Sequence, residues 1–369
     1  MFQLSGLNYL LNSSKLALMS IELPDWPPLW PEIRTAIDEC LQSGDWGRYH
    51  SPICSALENR LAQTHQSTCA RLCSSGTAAL EIALRASKVG PGDEVILAAF
   101  DFAGNFRTIE LLGAKPVLVD LAEDSLGLDP KQLEVAASEQ VKAVIVSHLY
   151  GSIAEVKTIR KTCEERGWVL IEDACQVAGL QIDGRPAGSF GDFATLSFGG
   201  SKLISAGNGG AVLCNTDRMA ARLGPILDRP GDTFPLAPLA AAVIGPQLDR
   251  LEEMNRARQA AVDFIVKQLN PRLADWQWHS GASVSSYYKV AWSARTAEER
   301  ARIVLEAGGS AFPIGNGFRS TSSCSDRRCR KPVSTERADR LSETLFVMDH
   351  RALLLEPEQL ASCLKELHG

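Results

Sequence analysis

The chain has 369 residues, 45% hydrophobic and 22% charged, with a formal net charge of -6. That is a globular composition, long enough for two domains. No Lys/Arg run marks a nucleic-acid surface, and no apolar run approaches a membrane span.

Met1 to Ser20 lacks a small-residue cleavage site, so no signal peptide is expected, and Met19 is an alternative start. Ten cysteines are scattered without repeated spacing, which reads as reduced thiols of a cytoplasmic protein. Cys324 and Cys329 have no second pair or His cluster beside them, so no metal set is expected.

Pro24 to Pro31 is rich in Pro and Trp and reads as an arm. Helices are expected over 32–42 and 55–62, with Ser43-Gly44-Asp45 as a break between them. Short β-branched runs at Val95 to Leu97, Val117 to Val119, Ala143 to Val146 and Trp168 to Ile171 read as strands. Helical stretches at 78–86, 105–112, 130–139 and 153–165 alternate with them. The alternation predicts an α/β fold whose mostly parallel sheet is covered by helices on both faces.

Further on, a long helix is expected over 238–269, a strand over 285–293, and helices over 296–307 and 357–368. Ser320 to Lys331 reads as a mobile loop. The expected division is an arm over 1–31, a large α/β domain over 32–245 and a smaller α+β domain over 246–369.

Candidate functional residues follow in chain order. Ser75, Gly76 and Thr77 precede a helix, whose free N–H groups and dipole suit a phosphate; a plain N-cap has the same signature. Phe102 follows a strand end and is either a core residue or an aromatic that stacks on a ring. Asp173 lies past the strand ending at Ile171, where open α/β sheets bind ligands. A carboxylate there can pair with a protonated pyridine nitrogen. At an effective dielectric near 20, unit charges about 4 Å apart attract by about 4 kcal/mol. Glu172 faces the other way and reads as structural. Ser197 sits in the expected strand 195–198, and Lys202 follows in a glycine-rich turn, placed to act as an amine nucleophile. A phosphate cradle, a carboxylate, a hydroxyl and an amine in this order are the parts that hold pyridoxal 5′-phosphate.

Taken together, Ser75-Gly76-Thr77-Ala78-Ala79-Leu80, Glu172-Asp173-Ala174-Cys175-Gln176, Gly191-Asp192, Ser197-Phe198, Lys202 and Gly207-Asn208-Gly209-Gly210 resemble the DegT/DnrJ/StrS aminotransferases. The resemblance implies fold type I, a homodimer, and transfer of an amino group from glutamate or glutamine to a nucleotide-linked keto-sugar or a keto-cyclitol. It implies that Lys202 carries the cofactor covalently and Asp173 pairs with its ring nitrogen, both catalytic, while Phe102 stacks on the ring. It also implies that Gly76, Thr77 and Ser197 hold the phosphate beside Ser75, and that Gln176 contacts the 3-hydroxyl side. Trp46 to Tyr49 and His148 to Gly151 match a substrate-side loop and a strand end near the cofactor. Two segments depart from the family pattern: Thr233-Phe234-Pro235 replaces an Asn-Tyr-Arg segment that reaches the partner's phosphate site, and Pro313 to Asn316 replaces a substrate-contacting His and Tyr. A sugar dehydratase of this kind is expected to carry His in place of Lys202. A non-catalytic regulatory protein that binds the cofactor is the other alternative.

Overall fold

The structure is a computed structural model that describes residues 23–228, 233–268, 282–284, 286–309 and 314–366. The start at Met1 or Met19, Pro313 and the expected helix end at Leu269 lie outside the described residues.

Strands β1 (Cys69–Cys73), β2 (Glu94–Ala98), β3 (Lys115–Val119), β4 (Val141–Ser147) and β5 (Val169–Asp173) share one sheet with later strands. A small hairpin, β6 (Gln181–Ile182) and β7 (Arg185–Pro186), precedes β8 (Phe193–Ser197) and β9 (Gly210–Cys214). The sheet has seven strands in the order β1-β9-β8-β5-β4-β2-β3. Strands β3, β2, β4, β5 and β8 run parallel, while β9 runs antiparallel to both β8 and β1. Every residue of β2 is buried, as expected of a strand covered on both faces. Because β1 runs the same way as β8, the carboxyl ends of β1, β2, β4, β5 and β8 open on one edge. The site is built there.

Helix α1 (Pro31–Gln42) follows the arm, and α2 (Pro52–Thr64) is capped by Ser51. Helix α3 (Gly76–Ala86) carries seven buried residues and packs on β8 and β9. Burying Leu80, Ile82 and Leu84 stabilises this docking by about 2 kcal/mol each. Helix α4 (Ala103–Leu111) starts two residues before the expected 105. The helix expected over 130–139 contracts to a 3-10 turn (Pro130–Gln132) and a single turn, α5 (Leu133–Ala136), because Ala137 is extended. Helix α6 (Val156–Arg166) starts later than the expected 153. Tyr150 (φ 56°) and Gly151 (φ 86°) lie in the left-handed region, so the chain turns after β4 before a helix can begin.

Beyond α7 (Asp217–Leu227), helix α8 (Pro238–Gln268) runs through Pro246. Proline removes one N–H from the ladder, and side chains serve nearby carbonyls. Arg60 donates to Gly245 O at 3.1 Å, and Gln247 donates to Val243 O at 2.8 Å. The expected division between 245 and 246 therefore falls inside one continuous helix. Its first half gives Ala241 and Ile244 to the large core, and its second half gives Val262 and Ile265 to a separate core.

Strand β10 (Ala282–Val284) joins the β6–β7 hairpin. The second core lies under β11 (Lys289–Ser293), β12 (Ile314–Asn316) and β13 (Leu345–Asp349), an antiparallel sheet of order β11-β13-β12. The strand expected over 285–293 thus starts at Lys289. Helices α9 (Ala297–Gly309), α10 (Glu336–Thr344) and α11 (Pro357–Glu366) complete the chain.

Residues 320–331, expected to be a mobile loop, form a strap along β3. Leu118 N–H donates to Arg330 O at 2.8 Å, and Arg330 N–H donates to Pro116 O at 2.9 Å. The Arg330 guanidinium forks onto Glu94 at 2.8 and 2.7 Å. An open sheet edge has unpaired backbone groups, and the strap covers them. No helix among the described residues is long and apolar enough to cross a membrane.

Candidate active site

The phosphate-cradle candidates meet at the start of α3. Ser75 caps that helix by accepting from Ala78 N–H at 3.0 Å. The N–H groups of Gly76 and Thr77 have no acceptor within the helix, and they open on the sheet edge. Thr77 is exposed, while Ser75 and Gly76 are half-buried. Two close approaches shape this corner. A Cβ on Gly76 would lie 2.9 Å from both Cys175 Sγ and Ser197 Cβ. A Cβ on Gly210 would lie 2.4 Å from the backbone of Ser75. Glycine is required where strand and helix backbones touch, and the result is a wall of backbone N–H groups with the Ser197 hydroxyl beside it.

Lys202 follows in a turn closed by its own N–H donating to Gly199 O at 2.9 Å. A Cβ on Gly199 would fall 3.6 Å from Ser197 Oγ and 3.9 Å from Lys202 Cγ, so Ser197 and Lys202 flank that glycine. Lys202 Nζ lies 4.4 Å from the centre of the Tyr288 ring, whose hydroxyl is 3.0 Å from Ser201 Oγ. The arm closes over the turn, with Trp26 Nε1 donating to Lys202 O at 2.9 Å. The Trp26 ring also packs edge-on against His350 at 4.6 Å.

Asp173 ends β5 and is 8% exposed. Its Oδ1 accepts from Cys175 N–H at 3.0 Å and Thr195 Oγ1 at 3.2 Å. Its Oδ2 accepts from Asn105 Nδ2 at 2.9 Å. Burial, then the Asp173 charge, pushes the Cys175 thiol well above its ordinary value, and Lys202 opposes this. Asp173, Cys175, Lys202, Gly76 and Ser197 are thus brought into one corner.

Glu172 points into the core, fully buried. It accepts from His148 at 3.0 Å and from the N–H groups of Gly188 (2.6 Å), Phe190 (2.9 Å) and Gly191 (3.2 Å). Burial pushes it up, but those donors hold it below the usual carboxylate range. It staples the β5 end to the loop before β8, and His148 serves that staple.

Phe102 and Gln176 stand on the opposite rim. Phe102 is 42% exposed at the start of α4, and its ring lies 5.9 Å from Phe318. Gln176 is buried, and its Oε1 accepts from Tyr150 N–H at 2.8 Å, which fixes the amide's orientation. Tyr150 in turn accepts from Phe318 N–H through its hydroxyl at 2.9 Å.

Trp46 and Tyr49 are exposed on a separate loop. Ile314 to Asn316 form β12 of the small sheet, and Phe318, two residues beyond, reaches the rim. Thr233 is exposed, and the adjacent Phe234 O accepts from Ser74 N–H at 2.9 Å, which docks that segment beside the cradle.

The sequence reading missed Asp101, Asn105, Ser147, Thr195, Tyr288 and Trp26. Asp101 carried a signal, because it is a polar residue ending the apolar run from Val95. Trp26 carried none, since it meets Lys202 across 176 positions.

The sequence profile of the DegT/DnrJ/EryC1/StrS aminotransferase family matches residues 29–308. A pleiotropic regulatory protein of Geobacillus stearothermophilus is 34% identical over 68% of this chain and 72% of its own length. A GDP-perosamine synthase of Caulobacter vibrioides is 34% identical over 53% of this chain, a match spanning 56% of that relative. Among solved structures, 3-amino-5-hydroxybenzoic acid synthase superposes with a TM-score of 0.82 and 25% identity, covering 94% of this chain and 97% of that one.

Proposed function

The chain belongs to the DegT/DnrJ/EryC1/StrS aminotransferase family, and from that premise we propose that it moves an amino group from glutamate or glutamine onto a keto-sugar or keto-cyclitol. It is a transaminase that depends on pyridoxal 5′-phosphate. A nucleotide-linked acceptor has support from the GDP-perosamine synthase, and a carbocyclic one from the 3-amino-5-hydroxybenzoic acid synthase. This reading includes a cytoplasmic homodimer.

The residues present fit the cofactor. The Gly76 and Gly210 positions exclude side chains and leave backbone N–H groups facing the place a phosphate would take. When bound, pyridoxal 5′-phosphate would supply an electron sink for the negative charge left as the amine-bearing carbon loses its proton. Ser75, Gly76, Thr77 and Ser197 would hold its phosphate. Asp173 would accept a hydrogen bond from the ring nitrogen and keep it charged. Phe102 would lie against the ring, and the Gln176 amide, oriented by Tyr150 N–H, would donate toward its 3-hydroxyl. Lys202 Nζ would hold the cofactor between turnovers and, once freed, would carry the proton from the substrate's amine-bearing carbon to the cofactor's carbon, and back again in the second half-reaction.

The convergence of Lys202, Ser197 and Asp173 on the Gly76 corner carries this reading. Its test is transaminase turnover of Lys202→Ala beside the visible spectrum before and after glutamate. We expect the cofactor band of the wild type to bleach with the donor, and turnover of the variant to fall by at least about 10³-fold. Unchanged turnover in the variant overturns the assignment. A regulatory, non-catalytic reading has one supporting observation, the name of the Geobacillus relative, and full donor consumption by the purified protein excludes it.

A further inference from the structure

Behind the ring-nitrogen end of the site lies a second carboxylate that the function above leaves unused. Asp101 leaves the end of β2 and is 2% exposed. Its Oδ2 accepts from Ser147 Oγ at 2.9 Å, and its Oδ1 accepts from Phe102 N–H at 2.6 Å. Asn105, in the first turn of α4, is 3% exposed. Its Nδ2 lies 2.9 Å from Asp173 Oδ2, 3.3 Å from Asp101 Oδ1 and 3.3 Å from Ser147 Oγ. An amide nitrogen has two protons, so it serves Asp173 fully and divides the second between Asp101 and Ser147. The Asn105 amide plane is therefore held from the Asp101 side, and it sets where Asp173 Oδ2 points.

We propose that Asp101 is a positioning residue for Asp173: through the shared Asn105 amide it fixes the direction of Asp173 Oδ2, and when ionised it adds a second negative charge at the ring-nitrogen end of the site. The inference rests on the pyridoxal phosphate reading. Three donors hold Asp101 in one rotamer, and no water-exposed path lets it turn away.

Its charge is adjustable. Burial and then the Asp173 charge raise Asp101 to about 7, against the Phe102, Ser147 and Asn105 donors that lower it. The titratable groups facing it are Asp173 from β5 and Tyr150 from the turn after β4, whose hydroxyl burial pushes up so that it stays neutral. Cys175 also faces Asp173, and Lys202 in turn faces Cys175. Below about pH 7 Asp101 is neutral, and above it Asp101 adds its own charge at this end of the site. A protonated ring nitrogen is then held more tightly as pH rises through about 7.

The experiment is a titration of the full-length apoprotein with pyridoxal phosphate between about pH 6 and pH 8.5, read as the dissociation constant and the visible band. The cofactor's own ionisations are common to all variants, so the informative quantity is the ratio of Asp101→Asn to wild type. We expect that ratio to rise about tenfold across the range, with a midpoint near 7. Ser147→Ala removes a donor to ionised Asp101, and it should move the wild-type midpoint to higher pH. Asn105→Ala should weaken binding at every pH, and adding Asp101→Asn to it should remove only the pH-dependent part that remains. A pH-independent ratio overturns the inference. Should Asp101→Asn fail to fold, an unmoved midpoint in Ser147→Ala does the same. Wild-type protein that binds no cofactor at any pH instead overturns the reading on which the inference rests.

Discussion

The two ends of the candidate site are built from different materials. The cradle end is backbone: Gly76 and Gly210 let α3, β8 and β9 approach until no Cβ fits. The nitrogen end is side chain: Asp173, Asn105, Ser147, Asp101 and Thr195 satisfy one another in a nearly dry pocket. A backbone wall has no group that titrates, and it is intolerant of volume. A buried polar network tolerates isosteric change but answers strongly to charge.

Three substitutions sharpen that contrast. The largest effect belongs to the nitrogen end. Burial raises Asp101 in the folded protein to about 7, above its ordinary value of 3.8. A raised folded value means that its stabilising contribution is complete below about pH 4 and is lost as pH rises through 7. Asp101→Asn removes this dependence. The stability difference, variant minus wild type, should therefore shift in the variant's favour between about pH 4 and 8, by up to about 4 kcal/mol. Urea unfolding of the apoprotein at several pH values measures it, and a flat difference would contradict the contrast.

At the cradle end the effect is one of volume and does not depend on pH. Gly210→Ala places a methyl 2.4 Å from the Ser75 backbone. It should destabilise the apoprotein by about 3 kcal/mol and weaken phosphate binding by at least about tenfold, equally at acid and neutral pH. Thermal melting and phosphate titration read both. The smallest effect serves as a control away from the site. Arg330→Ala unpins the strap from Glu94 and from Ala136 O. It should lower stability by about 1 kcal/mol and leave cofactor affinity unchanged. A change in affinity would mean that the strap and the site are mechanically linked.

Much of this protein was legible without coordinates. Alternating β-branched runs and helical stretches announce a parallel sheet, because a strand buried on both faces must be apolar throughout. Strand ends then single out Asp173 and Lys202, and the Ser75-Gly76-Thr77 turn marks the start of α3, positions that the structure brings to one corner. Local signals failed where a remote partner decides the outcome. Residues 320–331 look mobile until β3 is seen to need an edge partner, and the helix expected at 153 is delayed by a turn at Tyr150 and Gly151. At Pro246, the expected division, α8 runs on without a break while its two halves enter separate cores.

What the sequence determined by itself is chemistry and order: which residue types are present, and at which strand ends they fall. What only the tertiary structure decided is which of them share protons and charge. Asp101 and Asp173 are 72 positions apart in sequence. Neither strand end shows that one asparagine amide joins them, because the pairing depends on β2, β4 and β5 lying side by side. The same adjacency excludes water, and the loss of water, with the Asp173 charge beside it, is what raises Asp101.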